Sequence, residues 1–185
     1  MPVEIPKDTW PGMVRVVTLG ATAAQGGTRK STVTVGGEKA LPFLNFEQPM
    51  PNRPVIAIEI RDRRPDDWSP LLLQAWGEAA YDPAAWATAA EAAGADLLQL
   101  GLSLNDNAGN PVTPEAAVQT VKAVLAASGL PLIVFGPGQA EADNNLLVPV
   151  AEATKGERLV LGICEDKNYR TIVAACMANG HLVNA

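Results

Sequence analysis

Cysteine and histidine are scarce in this sequence. It contains two cysteines, Cys164 and Cys176, and a single histidine among 185 residues. A protein-borne zinc or iron–sulfur centre takes about four Cys or His ligands, so we expect no iron–sulfur cluster within this chain. We interpret the two cysteines as small buried thiols in a protein of a reducing compartment.

Basic charge and long apolar runs are scarce as well. The formal net charge is −6, whereas binding to nucleic acid needs concentrated Lys and Arg. No apolar run reaches the roughly 18 residues of a membrane helix, and the N-terminal sequence MPVEIPKDTW lacks the basic-then-apolar layout of a secretory signal. The sequence therefore predicts a cytoplasmic protein with no nucleic-acid and no membrane partner.

From residue 54 onward, the sequence alternates apolar strands with helices. Its hydrophobic content of 48% is enough for one well-buried core. We predict strands over residues 55–60, 96–102, 130–135, 158–164 and 181–184. This alternation predicts βα units and a parallel sheet, either doubly wound or part of a (β/α)8 barrel. No GxGxxG fingerprint follows a strand, which favours the barrel.

Capping residues, glycine and proline mark the predicted helix ends. Asp82-Pro83 and Thr113-Pro114 each place a capping side chain before a proline at the first helical position. Gly180 is suited to end the last helix because glycine adopts a positive φ readily. We expect Pro149 to break the helix predicted over residues 143–155, or to start a new helix there.

Residues 1–53 are interpreted as an N-terminal arm with a β-hairpin and a Pro-rich linker. Residues 14–19 and 31–35 are rich in β-branched side chains and predict the hairpin. Between them, GATAAQGGTRK (residues 20–30) predicts a mobile turn that reaches to a partner, or else a solvated loop. It has no GxxxxGK[ST] spacing, so we expect no phosphate loop.

The predicted barrel is incomplete within this chain. A (β/α)8 barrel takes about 250 residues, and residues 54–185 hold about five strands. We therefore expect residues 54–185 to be the N-terminal part of a TIM barrel. The barrel then continues beyond Ala185 or is completed by other chains; the remaining alternative is an inactive remnant.

Polar residues and glycines follow the predicted strands, at the edge where parallel α/β folds bind ligands. The candidate cofactor-binding residues are Asn105, Asp106, Gly136, Gly138, Glu165, Asp166, Asn168, Tyr169 and Asn184. Each of them separately is also a suitable turn or cap residue. We find no nucleophile–base pair and expect His181 on the opposite, structural side. No catalytic and no metal-ligating residue is therefore predicted, and the strand ends are interpreted as a binding surface.

Several long blocks of the sequence resemble a known family. The blocks are VTLGATAAQGGTRKSTVTVGG, LPFLNFE, PNRPVIAIEI, GADLLQLGL and LGICEDKNYRTIVAACMANGH. They are similar to the small subunit of the corrinoid iron–sulfur protein, the delta subunit of the archaeal acetyl-CoA decarbonylase/synthase complex. The resemblance implies a (β/α)8 barrel without a cluster of its own. Its heterodimer partner is a large subunit that carries a [4Fe–4S] cluster and a mobile cobamide-binding domain.

The same resemblance implies a role in methyl transfer. The barrel would shelter the cobamide at the interface with the large subunit, while cobalt takes a methyl group from a methyltetrahydropterin methyltransferase and passes it to acetyl-CoA synthase. This is the reductive acetyl-CoA (Wood–Ljungdahl) pathway of carbon fixation, with the present chain as a non-catalytic subunit. Glu165, Asp166, Asn168 and Tyr169 match the family's motif after the fourth barrel strand. The alternative is a stand-alone pterin-dependent methyltransferase, since that related fold binds pterin with Asp and Asn at strand ends.

Overall fold

The computed structural model describes residues 12–39 and 50–185, so the block LPFLNFE (residues 41–47) lies outside the described residues. The chain divides into two compact units. The described residues of the smaller unit fall within Met1–Thr18 and Thr34–Val55, and the larger unit consists of Leu19–Val33 and Ile56–Ala185. The domain boundary placed at residue 53 by the sequence stays a prediction.

A short antiparallel strand pair is formed by β1 (Val17–Leu19) and β2 (Val33–Val35). The hydroxyl oxygens of Thr18 and Thr34 lie 3.0 Å apart in a hydrogen bond across the pair. The N–H of Val14 donates to the carbonyl of Glu38 at 2.8 Å, which extends the pairing beyond the two strands. The antiparallel pairing predicted for this part of the chain is confirmed.

The larger unit is built on a parallel five-stranded sheet. Its strands are β3 (Ala57–Arg61), β4 (Leu97–Gly101), β5 (Leu132–Phe135), β6 (Val160–Gly162) and β7 (Leu182–Val183). They lie in the order β3-β4-β5-β6-β7, and each neighbouring pair is parallel. The predicted βα alternation and the parallel sheet are therefore confirmed.

Helices connect the strands. Within the described residues the α-helices are α1 (Pro70–Trp76), α2 (Pro83–Ala92), α3 (Pro114–Ala127), α4 (Ala140–Ala153) and α5 (Tyr169–Asn179). The carboxylate of Asp82 accepts two N–H groups at the start of α2, and the hydroxyl of Thr113 accepts one at the start of α3. Gly180 follows α5 with a φ of 77°. These predicted caps are confirmed.

Alternation along the strands gives the sheet two different faces. Ile60, Leu100, Val134 and Leu161 are fully buried in the core cluster that also contains the inward side chains of the helices. The intervening strand residues form a register row on the other face, Glu59–Gln99–Ile133–Val160–Leu182. The core therefore lies between the sheet and its helices.

Pro149 does not break α4, contrary to the expectation from the sequence. It lies inside the single helix Ala140–Ala153. A proline cannot donate to the carbonyl four residues earlier, that of Asn145, but Asn145 is exposed, so water can serve this carbonyl. On the opposite face, Leu147 and Val150 are almost completely buried, and this packing holds the helix together across the proline.

Residues 20–30 are not a mobile turn, as the sequence suggested, because Arg29 binds them to other parts of the larger unit. This side chain is 4% exposed, and its Nε forms an ion pair with the carboxylate of Glu157 at 3.0 Å. Its guanidinium also donates to the carbonyls of Leu125 and Ser128, both at 2.6 Å. These carbonyls stand at the end of α3, where backbone acceptors lack helical partners. We call Arg29 and Glu157 the arginine clasp.

His181 is a second buried polar group near the amino ends of the strands, on the structural side as predicted. Its Nδ1 accepts the N–H of Leu159 at 3.1 Å, so Nε2 carries the proton and donates to the carbonyl of Ala151 at 2.9 Å. The bond at Nδ1 requires the neutral imidazole, because both nitrogens of the protonated ring are donors. Burial lowers the pKa of His181, against the raising effects of Ala151 and Glu157.

Replacing Arg29 by Met is expected to lower the free energy of unfolding by about 3–5 kcal/mol, because a buried carboxylate then lacks its charge partner. Urea denaturation followed by circular dichroism measures this change. The matched control is Lys30→Met, which breaks the exposed 3.2 Å pair with Glu91 and should change stability by less than about 1 kcal/mol. Equal losses in the two variants would contradict a clasp role for Arg29.

Stability is also expected to decrease as the pH falls below about 6.5. Because the pKa of His181 is lowered in the folded state, the unfolded chain takes up this proton first, and protonation then favours unfolding. The stabilisation that the neutral His181 provides is fully present above the pKa that this residue has in the unfolded chain, and it is lost as the pH falls. Urea denaturation above and below that pH, with His181→Gln as the non-titrating variant, tests this. An equally steep pH dependence in the variant would refute the assignment.

Candidate functional site

Every candidate binding residue lies beyond the carboxyl end of a strand in the larger unit. Since β3 to β7 are parallel, these ends meet at one edge of the sheet. We call this edge the carboxyl rim, formed by loops 62–69, 102–113, 136–139 and 163–168 together with Tyr169 and Asn184. The placement expected from the sequence is confirmed, while the roles of the individual residues stay predictions.

A buried carboxylate, that of Asp143, ties two loops of the rim together. Asp143 is in the first turn of α4 and is 2% exposed. Its Oδ1 accepts the N–H of Gly138 at 3.0 Å, and its Oδ2 accepts from Nδ2 of Asn168 at 3.2 Å. Asn168 is 1% exposed. Its own Oδ1 accepts the N–H of Glu165 at 2.6 Å. The loops after β5 and β6 are therefore held as one unit.

This network requires close packing around Asp143. Burial raises the pKa of its carboxyl, and hydrogen bonds from Gly138 and Asn168 oppose that shift. A Cβ atom at Gly136 would overlap Oδ1 of Asp143, while the N–H of Gly136 donates to the carbonyl of Gly162 at 2.9 Å. Only glycine at position 136 lets the β5–α4 loop approach the carboxylate this closely.

A second carboxylate, that of Asp62, joins the loops after β3 and β4. Its Oδ2 accepts the N–H of Ser103 at 2.7 Å, and its Oδ1 accepts the hydroxyl of Ser103 at 2.6 Å. Nε of Arg63 donates to the same hydroxyl oxygen at 3.1 Å. The rim is thus crosslinked at two places by carboxylates that bond to a neighbouring loop.

Asp106 acts mainly within its own loop. Its Oδ1 accepts the N–H groups of Ala108 and Asn110 at 2.8 and 2.9 Å. The hydrogen bond from the backbone N–H of Asn110 lowers the pKa of Asp106 most, and the hydrogen bond from the Asn110 side chain lowers it further. The turn role considered for this residue is therefore present, and a ligand would have to share its oxygens.

The outward surface of the rim mixes polar and apolar side chains. Its exposed polar residues include Asn105, Glu165, Asp166 and Asn184. Beside them Ile163 is 47%, Tyr169 43% and Leu104 40% exposed. Asn168 does not belong to this outward set, because its polar atoms face Asp143 and the backbone. The structure thus separates a buried, bonded layer from an exposed layer available to a ligand or a partner.

Sequence reasoning does not identify Asp143 or Ser103. A signal for Asp143 exists, because helical spacing places it on the same face as Leu146, Leu147 and Val150, all of which are buried. An acidic residue on an otherwise apolar helix face needs a partner. Ser103 carries no comparable signal, since a serine beyond a strand is ordinary turn chemistry.

The fold and the rim define a class of protein, a parallel α/β domain with a partly apolar exposed surface at the carboxyl ends of its strands. In residues 12–39 and 50–185, no helix is both long enough and apolar enough to cross a membrane. The same ranges contain no group of three or more His, Cys, Asp or Glu side chains arranged to hold a metal ion. Both Cys164 and Cys176 are free and buried, as predicted.

Comparison with known proteins identifies the family within this class. Residues 16–185 match the model of the CO dehydrogenase/acetyl-CoA synthase delta subunit. The chain is 38% identical to the acetyl-CoA decarbonylase/synthase complex subunit delta of Archaeoglobus fulgidus, over 96% of this chain and 39% of the relative. With the delta subunit of Methanopyrus kandleri the identity is 35%, over 93% of this chain and 43% of the relative.

The chain belongs to this delta subunit family. The family resemblance seen in the sequence is therefore confirmed. The chain spans less than half of the length of these curated relatives.

Replacing Asp143 by Asn keeps its size but exchanges one acceptor oxygen for a donor. Either Gly138 N–H or Asn168 Nδ2 then loses its acceptor, and we expect a loss of about 1–3 kcal/mol in the free energy of unfolding. Hydrogen exchange at the amides of Gly138 and Glu165 should become faster. Asp166→Asn makes the same chemical change at an exposed position and should stay within about 0.5 kcal/mol of wild type. Unchanged exchange in Asp143→Asn would disprove the coupling of the two loops.

Proposed function

We propose that this chain forms part of the small subunit of a corrinoid iron–sulfur protein, and that its carboxyl rim shelters a cobamide carried by the large subunit. The subunit itself is non-catalytic in this proposal. It acts in the cytoplasm while a methyl group passes from a methyltetrahydropterin methyltransferase to acetyl-CoA synthase in the acetyl-CoA pathway. Membership of the delta subunit family supports this assignment.

The observation that carries the proposal is the layered construction of the rim. Beneath the surface, Asp143 and Asn168 hold two loops in a fixed relation. Above them lie the exposed apolar side chains of Ile163 and Tyr169. A binding surface that is ordered before its ligand arrives loses less conformational entropy on binding.

The residues present fit a corrinoid. A corrin macrocycle has apolar faces and a periphery of amide side chains, so it needs apolar contact flanked by hydrogen-bonding groups. Ile163, Tyr169 and Leu104 offer the apolar contact, and Asn105 and Glu165 offer exposed acceptors. When bound, the cobamide supplies a cobalt ion that accepts and releases a methyl group. The side chains of this chain would hold and orient the macrocycle and exclude water from one face.

We further propose that the parallel sheet is part of a (β/α)8 barrel. The row Glu59–Gln99–Ile133–Val160–Leu182 lies on the face away from the helix-side core. Side chains on such a face point into the interior once strands close into a barrel, where alternate strands contribute to each layer. Within the described residues, β3 and β7 are the outermost strands of the sheet, and each pairs with one strand only. Both of these strands can therefore pair with a further strand.

A stand-alone pterin-dependent methyltransferase is less well supported. That activity would need several free Asp and Asn groups at the strand ends, whereas Asn168 is bonded to Asp143 and to backbone, and Asp106 to its own loop. Asn105, Asp166 and Asn184 remain exposed. Titration of the chain alone with methyltetrahydrofolate separates the two functions. We expect no binding without the large subunit, and saturable binding would favour the methyltransferase.

Tyr169→Asp should weaken cobamide capping, because a charge replaces an aromatic contact at the rim. The chain is co-expressed with the large subunit, and the cobalt absorption and the dissociation constant of the purified complex are measured. We expect at least about a tenfold weaker complex, as for a typical interface tyrosine. Met177→Asp is the matched control, since Met177 is also exposed on α5 but lies well past the rim end of that helix. Equal affinity of both variants would refute the proposed rim contact.

A further inference from the structure

A cavity of about 500 Å³ lies at the amino edge of the sheet, away from the carboxyl rim. Its lining includes Ser128 and Gly129, which precede β5, and Glu157, which precedes β6. Three of the six lysines of the chain, Lys30, Lys122 and Lys155, line this one cavity. We call it the lysine pocket. Such a concentration is unexpected in a chain with a net charge of −6.

Two carboxylates near the pocket, those of Glu157 and Glu91, are already paired. Glu157 belongs to the arginine clasp. The carboxylate of Glu91 binds Lys30 at 3.2 Å and accepts from the hydroxyl of Ser128 at 2.7 Å. In contrast, Lys122 and Lys155 form no ion pair with any residue in 12–39 or 50–185. The pocket therefore has unneutralised positive charge.

Stabilisation of helix ends does not account for all of these lysines. A cation favours the last turn of a helix, and the effect fades beyond it. Lys155 follows α4 closely, but Lys122 lies five residues before the end of α3. The carbonyls at the end of α3 are also already bound by Arg29. Lys122 thus has no structural role visible in the fold.

The lining of the pocket distinguishes between kinds of anion. It includes the small apolar side chains of Ala126, Ala127 and Ala153. A phosphate group prefers a cluster of free backbone N–H donors, but the N–H of Thr28 donates to Glu157 and that of Gly129 donates to Glu91. An acidic polypeptide fits better, because its aliphatic parts can cover the alanines while its carboxylates reach the lysines.

We propose that the lysine pocket docks an acidic segment of another subunit of the acetyl-CoA decarbonylase/synthase complex. This rests on the part of the proposed function that places the chain in a complex with other subunits, and not on the cobamide contact. The two surfaces lie at opposite edges of the sheet, so both can be occupied at the same time. Charge complementarity of this kind sets the association rate and the choice of partner.

The double variant Lys122→Glu with Lys155→Glu tests the proposal. The chain is mixed with the other subunits encoded in the same genome, and the dissociation constants are measured at low and at high salt. We expect at least about a tenfold weaker association for the variant at low salt, and a smaller difference at high salt, where charges are screened. The control, Arg15→Glu with Lys39→Glu, makes the same change in net charge at two exposed residues outside the pocket and should bind its partners like wild type.

Two further measurements make each outcome decisive. Lys122→Met with Lys155→Met removes the charge with little change in length, and circular dichroism verifies its fold; it should weaken association in the same direction. Competition with a poly-glutamate peptide and with inorganic phosphate identifies the ligand, and we expect only the peptide to compete. Unchanged affinity in both pocket variants, or competition by phosphate alone, would overturn the proposal. Cobalt absorption of the complex with the large subunit is recorded in parallel, so that failure of the cobamide proposal is detected separately.

Discussion

Parallel pairing of β3 to β7 is the constraint on which the rest of the larger unit depends. Because all five strands run the same way, every carboxyl end lies at one edge and every amino end at the other. Each connection must return along the sheet, and helices α2 to α5 provide the return while covering one face. The two edges then acquire different chemistry, with a mixed polar and apolar rim at one and the arginine clasp and the lysine pocket at the other.

Buried polar side chains fix the loops at both edges. Arg29 and His181 act near the amino ends, and Asp143 and Asn168 act at the carboxyl ends. Each of these groups has several partners, as burial of polar groups requires. A buried ion pair such as Arg29–Glu157 contributes little net stability compared with an apolar pair of equal size, but removing one partner is costly. Such groups therefore specify one arrangement of the loops more than they add to the total stability.

The regular parts of this fold could be predicted from the sequence, whereas its long-range polar contacts could not. Strand and helix positions follow from local periodicity, and caps such as Asp82 and Thr113 act within three residues of themselves. Arg29 and Glu157 are separated by 128 residues, so local sequence gives no sign that residues 20–30 are fastened down. Pro149 misleads for a related reason, because tertiary packing of α4 outweighs the local penalty. At the rim, the sequence located the loops correctly but did not identify the carboxylate that couples them.

The face of the sheet opposite to the helices is the one that the proposed barrel would enclose. Ile133 and Val160 are apolar, and they stand in one register row with Glu59 and Gln99. A charge can be buried only when it is paired, and Glu59 already lies 2.7 Å from Nε of Arg61. At its present exposure this pair contributes little to stability, but further strands that exclude water would strengthen its attraction as the local dielectric constant falls. Arg61 also packs over Gly101, where any larger side chain would displace it. Closure of the proposed barrel would therefore bury Glu59 together with its partner Arg61. A carboxylate on an open, solvated sheet face needs no such partner, because water stabilises its charge.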